Sequence, residues 1–293
     1  MTDGVEVVLA IRAELGECPL WSGRDSCLYW IDIDGRSVHR YDPATGNNET
    51  RALAGRPGSI ALTGDPDRLL VAMENQLVDL GWSTGVTTPL IDLEEPGRDT
   101  RLNDGRCDPA GRFWVGSMDD PIRGAAAGRL HRVDSAYNAT IEQEGVGVSN
   151  SLAFSPAGET MYWADTAKEL VWAYDYDVDT GTRSNERTFL DFADLPGKPD
   201  GACVDDAGCL WVACVTGWAL LRATPDGRID RTIELPMEKP TMPAFGGREL
   251  DTLYVTSISS GGSVAAPVDQ TLAGALVALS PGVRGIPEPI FGG

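Results

Sequence analysis

Histidine and lysine are scarce in this chain, two of the first and three of the second in 293 residues. A Ser-His-Asp triad would have to use His39 or His131, and neither lies in a matching motif. These two are expected to be structural or surface residues. G-x-S-x-G, H-E-x-x-H and the phosphate-binding P-loop are all missing, and no helix follows the Gly-rich pieces, which read as turns. The six cysteines (Cys18, Cys27, Cys107, Cys203, Cys209 and Cys214) contain no C-x2-C pair, so zinc-finger spacing is absent. Buried free thiols are the expectation, with Cys18 set apart because it directly follows the polar residue Glu17 that opens a repeat. No apolar run approaches the roughly 20 residues of a membrane span. The N-terminus has neither a basic region nor an apolar one, which points to a cytoplasmic protein. Basic residues are outnumbered 24 to 44, for a net charge of −20. That balance disfavours nucleic acid and anionic membranes as partners. A monomer or small homo-oligomer is expected.

What the chain does have is one stretch written several times. Its clearest copy is Asn103-Asp104-Gly105-Arg106-Cys107-Asp108-Pro109-Ala110-Gly111-Arg112-Phe113-Trp114-Val115-Gly116. A polar leader opens a short apolar strand, an Asp-Pro-x-Gly type turn comes next, and a second strand carries an aromatic. Asp and Pro suit the early turn positions and Gly supplies the positive φ that closes it. Asn150 leads a second copy through Ser155-Pro156-Ala157-Gly158 to Trp163, and Asp200 a third through Asp205-Asp206-Ala207-Gly208 to Trp211. Weaker copies are led by Glu17, Gly58 and Thr241, so leaders recur at intervals of 41, 45, 47, 50 and 41 residues. A period of roughly 40–45 residues holding four strands is the mark of a β-propeller blade. The fold expected is all-β, a six-bladed β-propeller, with residues 1–293 forming one domain. The tryptophans then read as blade-packing aromatics. Val5 to Ile11 is expected to pair with a strand near Ile290 and close the ring, removing exposed sheet edges. The flexible stretch from Ser257 to Ser263 reads as a rim or lid loop.

Inner strands line the channel of a propeller, so residues of equal repeat phase should form a ring around it. The ring here is Glu17, Gly58, Asn103, Asn150, Asp200 and Thr241. Two carboxylates brought together repel unless one is protonated or a cation sits between them. The donors are all oxygen, which suits Ca, Mg or Mn better than zinc. The alternative is a hydrogen-bonded polar plug without metal.

These residues carry a resemblance. The segments Glu14 to Trp21, Arg101 to Gly105 with Asp108 to Met118, Ser149 to Pro156, and Pro199-Asp200-Gly201 resemble the family of gluconolactonase, regucalcin (senescence marker protein) and luciferin-regenerating enzyme. The resemblance runs over nearly the whole chain. It implies a six-bladed propeller with one divalent metal (Ca favoured among Ca, Mg, Mn, Zn and Fe) at the mouth of the central channel. By this resemblance Glu17, Asn150 and Asp200 are the metal ligands. Arg101 and Asn103 contact substrate, as does Asp120, with Asp119 the other choice for that acidic role. Cys18 and Ser151 stand where the family usually has Gly, which bears on pocket shape. The implied activity is metal-dependent hydrolysis of a sugar lactone, gluconolactone- or xylonolactone-like, to the aldonic acid, with Asp200 as the catalytic proton acceptor. The alternatives are an esterase or organophosphate hydrolase on the same metal, and a non-catalytic calcium-binding propeller.

Overall fold

A computed structural model describes residues 4–95, 97–121, 124–260 and 270–293. The chain forms six four-stranded antiparallel sheets arranged as the blades of a propeller. Their innermost strands are Gly16–Ser22, Ser59–Leu62, Thr100–Cys107, Ser149–Phe154, Lys198–Val204 and Pro240–Gly246. Each predicted leader stands in its inner strand or, for Gly58, one residue before it. Among the described residues the only helical element is the 3-10 turn Phe192–Asp194, and no helix is long and apolar enough to cross a membrane.

The repeated turn works as its residue types require. Asp108 Oδ1 accepts the N–H groups of Ala110 and Arg112, both at 2.9 Å, and Gly111 takes a φ of 77°. Asp205 does the same for Ala207 and Cys209, with Gly208 at 82°. The second carboxylate oxygen of Asp108 accepts Arg112 Nε and the Tyr176 hydroxyl of the next blade, whereas that of Asp205 reaches into its own. Asp205 Oδ2 receives the Trp211 indole N–H at 3.0 Å and Arg222 Nε at 2.7 Å. The second-strand aromatics Trp30, Trp114, Trp163 and Trp211 are buried essentially completely, so the turn and the core are one construction. Trp172 is half-buried, and Trp218 departs from the packing role at 42% exposure.

The ring closes differently from expectation. Val5–Leu9 pairs antiparallel with Leu276–Leu279 and supplies the outermost strand of the sixth blade, which its own segment leaves three-stranded. The Ile290 segment cannot play that part, because Pro287 and Pro289 lack the N–H groups a ladder needs. It runs instead across the turn end of the channel. There Asp206 N–H donates to Arg284 O, Gly285 N–H to Leu250 O, Phe291 N–H to Leu62 O and Gly292 N–H to Gly111 O. Glu288 on this strap meets Arg106 of the third inner strand at 3.1 Å, both nearly buried. The strap thus covers one end of the channel, leaving the leaders at the other. All six cysteines are buried and free, and both histidines are buried. Of the expected lid loop, residues 261–263 lie outside the described residues.

Candidate active site

In five of six blades the sheet register breaks at the leader or just after it, for example between Glu17 and Leu20, Asn150 and Ala153, and Pro199 and Ala202. A bulge of this kind leaves residues out of the regular pleat and re-aims their side chains. The second blade, led by Gly58, has no such break. A side-chain carbon at Gly58 would collide with the Leu102 carbonyl of the neighbouring blade, so this position serves packing. Thr241 does not join the donors either. Its hydroxyl donates to Gly16 O at 2.5 Å and meets Thr256 Oγ1 at 2.8 Å, tying the last blade to the first. The four remaining leaders, Glu17, Asn103, Asn150 and Asp200, are the candidate site residues.

A chain of hydrogen bonds runs around the mouth across three blades. Arg101 Nη1 donates to Asn103 Oδ1 at 2.6 Å, and Asn103 Nδ2 donates to Asn150 Oδ1 at 3.1 Å and to Ser149 O at 2.9 Å. Asn150 Nδ2 donates to Thr166 Oγ1 at 2.8 Å, and that hydroxyl donates to Pro199 O at 2.6 Å, beside Asp200. Asn150 is therefore held with its amide oxygen facing Asn103. Both amide hydrogens of Asn103 are committed internally, so it has only oxygen lone-pair capacity to offer a substrate.

Glu17 and Asp200 lie within electrostatic reach of each other and of Asp104. Burial, then the charges of Asp200 and Asp104, raises the Glu17 carboxyl well above the ordinary range. Burial and then Asp104 do the same for Asp200. Burial lifts Asp104 itself to about 6. Its Oδ2 accepts Leu152 N–H at 2.8 Å, while its buried Oδ1 has no hydrogen-bond partner. Asp104 went unread in the sequence because it sits directly after a leader; its signal is a carboxylate inside an otherwise buried inner strand. Thr166 was missed as well. It sits in the loop leaving a second strand, as Asp34, Glu74 and Asp120 do, and of these four only Asp120 was named from the sequence, through the resemblance.

Cys18 and Ser151, where the resemblance leads to an expectation of Gly, fall at backbone that glycine favours. Cys18 has φ 45° and Ser151 φ 54°, left-handed values that carry a penalty for residues with a Cβ. Each side chain finds a partner there. Cys18 Sγ packs at 3.4 Å from Ile60 N, and Ser151 Oγ donates to the Asp200 carbonyl. The pair thereby link the first blade to the second and the fourth to the fifth.

The structure separates the two acidic choices. Asp119 is buried and accepts N–H groups from Ala125, Ala126 and Ala127, closing its own loop. Asp120 stands at the rim, bonded to Arg56 and electrostatically coupled to Arg101. Among the described residues no group of three or more His, Cys, Asp and Glu side chains is arranged to hold a metal. The Glu17, Asn150 and Asp200 set has two carboxylates and an amide. It is an all-oxygen set with surplus negative charge, the chemistry of a hard divalent cation site.

The sequence pattern described as the SMP-30/Gluconolactonase/LRE-like region matches residues 15–259. The chain belongs to this family. It is similar to a 6-deoxy-6-sulfogluconolactonase of Pseudomonas putida, 38% identical with all of both chains covered. It is also similar to a pentonolactonase of Haloferax volcanii, 35% identical over 96% of each. The crystal structure of a calcium-binding protein, regucalcin, from Agrobacterium tumefaciens superposes with a TM-score of 0.90 at 28% identity, covering 99% of this chain and 97% of that one.

Proposed function

We propose that this lactone-hydrolysing enzyme acts on a sugar lactone, gluconolactone- or xylonolactone-like, and opens it to the aldonic acid with one divalent cation, calcium favoured, held by Glu17, Asn150 and Asp200. The observation that carries the reading is the arc Arg101–Asn103–Asn150–Thr166 set against the mutually repelling pair Glu17 and Asp200. Hydroxyl-orienting groups and an unneutralised carboxylate pair share one mouth. The names of the two lactonase relatives support the substrate class. The whole chain serves as one domain around that site.

When bound, the cation polarises the lactone carbonyl and stabilises negative charge on its oxygen. Glu17 and the oriented Asn150 amide fix its place. Asp200 accepts the proton of the attacking water; the new C–O bond forms, the ring C–O bond breaks, and the proton passes to the departing ring oxygen. Arg101, Asn103 and Asp120 orient the sugar hydroxyls. Arg101 is buried, so its hydrogen bonds act at reduced dielectric.

Purified protein assayed with gluconolactone and xylonolactone should turn over at least one, lose activity to a chelator and regain it with calcium. Turnover indifferent to chelation, or none on any lactone, overturns the proposal. The name of the regucalcin structure favours one further reading, a calcium-binding propeller without catalysis. Under that reading Asp200→Ala weakens calcium binding in a protein that had no turnover to lose.

A further inference from the structure

Arg56 lies on the link between the outermost strand of the first blade, Asn47–Ala52, and the inner strand of the second, Ser59–Leu62. Its guanidinium sits among three carboxylates from three blades. Nη2 bonds to Asp120, Nη1 lies 3.9 Å from Asp34 Oδ1, and Nε lies 3.8 Å from Glu74 Oε1. Its own backbone N–H donates to Glu74 Oε1 at 2.7 Å, which fixes the link from which it reaches. Leu102 N–H donates to Glu74 O at 2.7 Å, joining the same loop to the strand that carries Arg101 and Asn103. All four rim side chains retain about a quarter to a third of their exposure, from 24% at Asp120 to 35% at Glu74. They come from the first, second and third blades, whereas Asn150 and Thr166 belong to the fourth.

Charge and geometry act together here. The Asp120 backbone is tied through its N–H to Asp99 O at 2.9 Å, and the guanidinium fixes its carboxylate. Arg101, buried beneath, lies within electrostatic reach of Asp120, Arg56, Asp34 and Glu17, so at the rim itself three acids stand against the one guanidinium of Arg56. An anionic tail on a substrate could reach Arg56 only by displacing Asp120 and standing beside Asp34 and Glu74. A neutral polyol tail can donate its hydroxyls to those same oxygens. Like-charge juxtaposition of this kind is an established route to selectivity by exclusion.

We propose that Arg56 is a positioning residue for Asp120, and that the Asp34–Glu74–Asp120 rim selects lactones with an uncharged hydroxyl-bearing tail over those with an anionic one. This rests on the sugar-lactone reading of the site. The rim would then set this chain apart in specificity from its relative named for a sulfonated lactone.

The experiment compares gluconolactone with its 6-phospho counterpart in wild type, Arg56→Ala, Arg56→Lys and Asp34→Asn, with calcium titration of each variant as a check on the assembled mouth. Wild type should favour the neutral lactone at least tenfold in kcat/KM. Arg56→Ala should raise KM for it several-fold with kcat and calcium affinity nearly unmoved, and Arg56→Lys should recover part of the loss. Asp34→Asn should narrow the discrimination against the anionic lactone, and added salt should narrow it too. A wild type that uses the anionic lactone equally well, or an Arg56→Ala enzyme with unchanged KM, overturns the inference alone. Absence of turnover on either lactone by wild type removes the sugar-lactone reading and this inference with it.

Discussion

The site turns on one hydroxyl that no chemistry-bearing motif announces. Thr166 receives one proton from Asn150 and gives its own to Pro199 O, so it decides which atom of the Asn150 amide faces Asn103. Replacing it by valine keeps the shape and removes both bonds. Partners that orient metal ligands typically contribute about 10–100-fold in affinity or activity. Thr166→Val should therefore lower calcium affinity and kcat/KM together within that range at nearly unchanged melting temperature, which calcium titration and lactone kinetics would show. The leaders were legible in the sequence because equal phase in a repeat is equal place in a ring; the roles proposed for Glu17, Asn103, Asn150 and Asp200 came from the resemblance. Thr166, Arg56 and Asp104 were not legible that way. Thr166 lies on a loop leaving a second strand, and those loops differ in length from blade to blade; Arg56 lies on a link between blades, and Asp104 is one residue out of phase with the leaders. Nor could phase say that Thr241 turns its hydroxyl to Gly16: the bond joins the first blade to the last and exists only once the ring is closed.

At the scale of a blade, the turn carboxylate ties two strands, an indole and an arginine together. Asp205 is fully buried with four donors on its two oxygens. Asp205→Ala leaves Trp211 N–H without its acceptor and Arg222 with Asp230 alone. Removing one partner of such a buried network costs about 3–5 kcal/mol, to be read as a lower urea midpoint at unchanged slope. The first blade carries a pH-dependent counterpart. His39 stacks on Trp30 at 3.9 Å and receives hydrogen bonds on Nδ1 from Asn48 at 3.1 Å and Thr50 at 3.0 Å, while Ser37 meets Nε2 at 2.9 Å. The Trp30 indole fixes the Asn48 amide by donating to its oxygen. A proton on Nδ1 would point at the Asn48 N–H, and burial lowers the His39 value from 6.5 to about 4. Because the folded value is depressed, the neutral ring contributes stability that is present above about 6.5 and lost as pH falls towards 4. The shift corresponds to about 3 kcal/mol. His39→Asn should flatten the acid limb of the stability curve over that window, measured by urea unfolding at pH 7, 5.5 and 4. The inner and aromatic strands were readable because a polar leader, a turn and an aromatic recur in fixed order along them. The outermost ones, such as Asn47–Ala52, are mostly exposed and polar, and only the turn ahead of them betrays their place.

At the scale of the whole molecule, the ring has a seam, and the two chain ends treat it differently. Val5–Leu9 completes the sixth blade, whereas the strap through Glu288 covers the channel end away from the site. Hydrophobic pattern alone could not assign these parts, since both segments are short and apolar; the prolines of the second decide it. The site spans this architecture as well. Its proposed ligands come from the first, fourth and fifth blades, so a bound cation would tie elements that otherwise meet only through side-chain packing and a few hydrogen bonds. A ligand that binds only the folded state adds stability by mass action, about 2.7 kcal/mol at a hundredfold excess over Kd. At about 2.1 cal/mol/K of unfolding entropy per residue, a chain of 293 residues should melt roughly 4 °C higher with calcium than with chelator. The gain should shrink in Glu17→Gln and Asp200→Asn, and it should persist in Arg56→Ala, whose guanidinium lies at the rim. An equal melting temperature with and without calcium at millimolar concentration would show that the carboxylate pair holds no such ion.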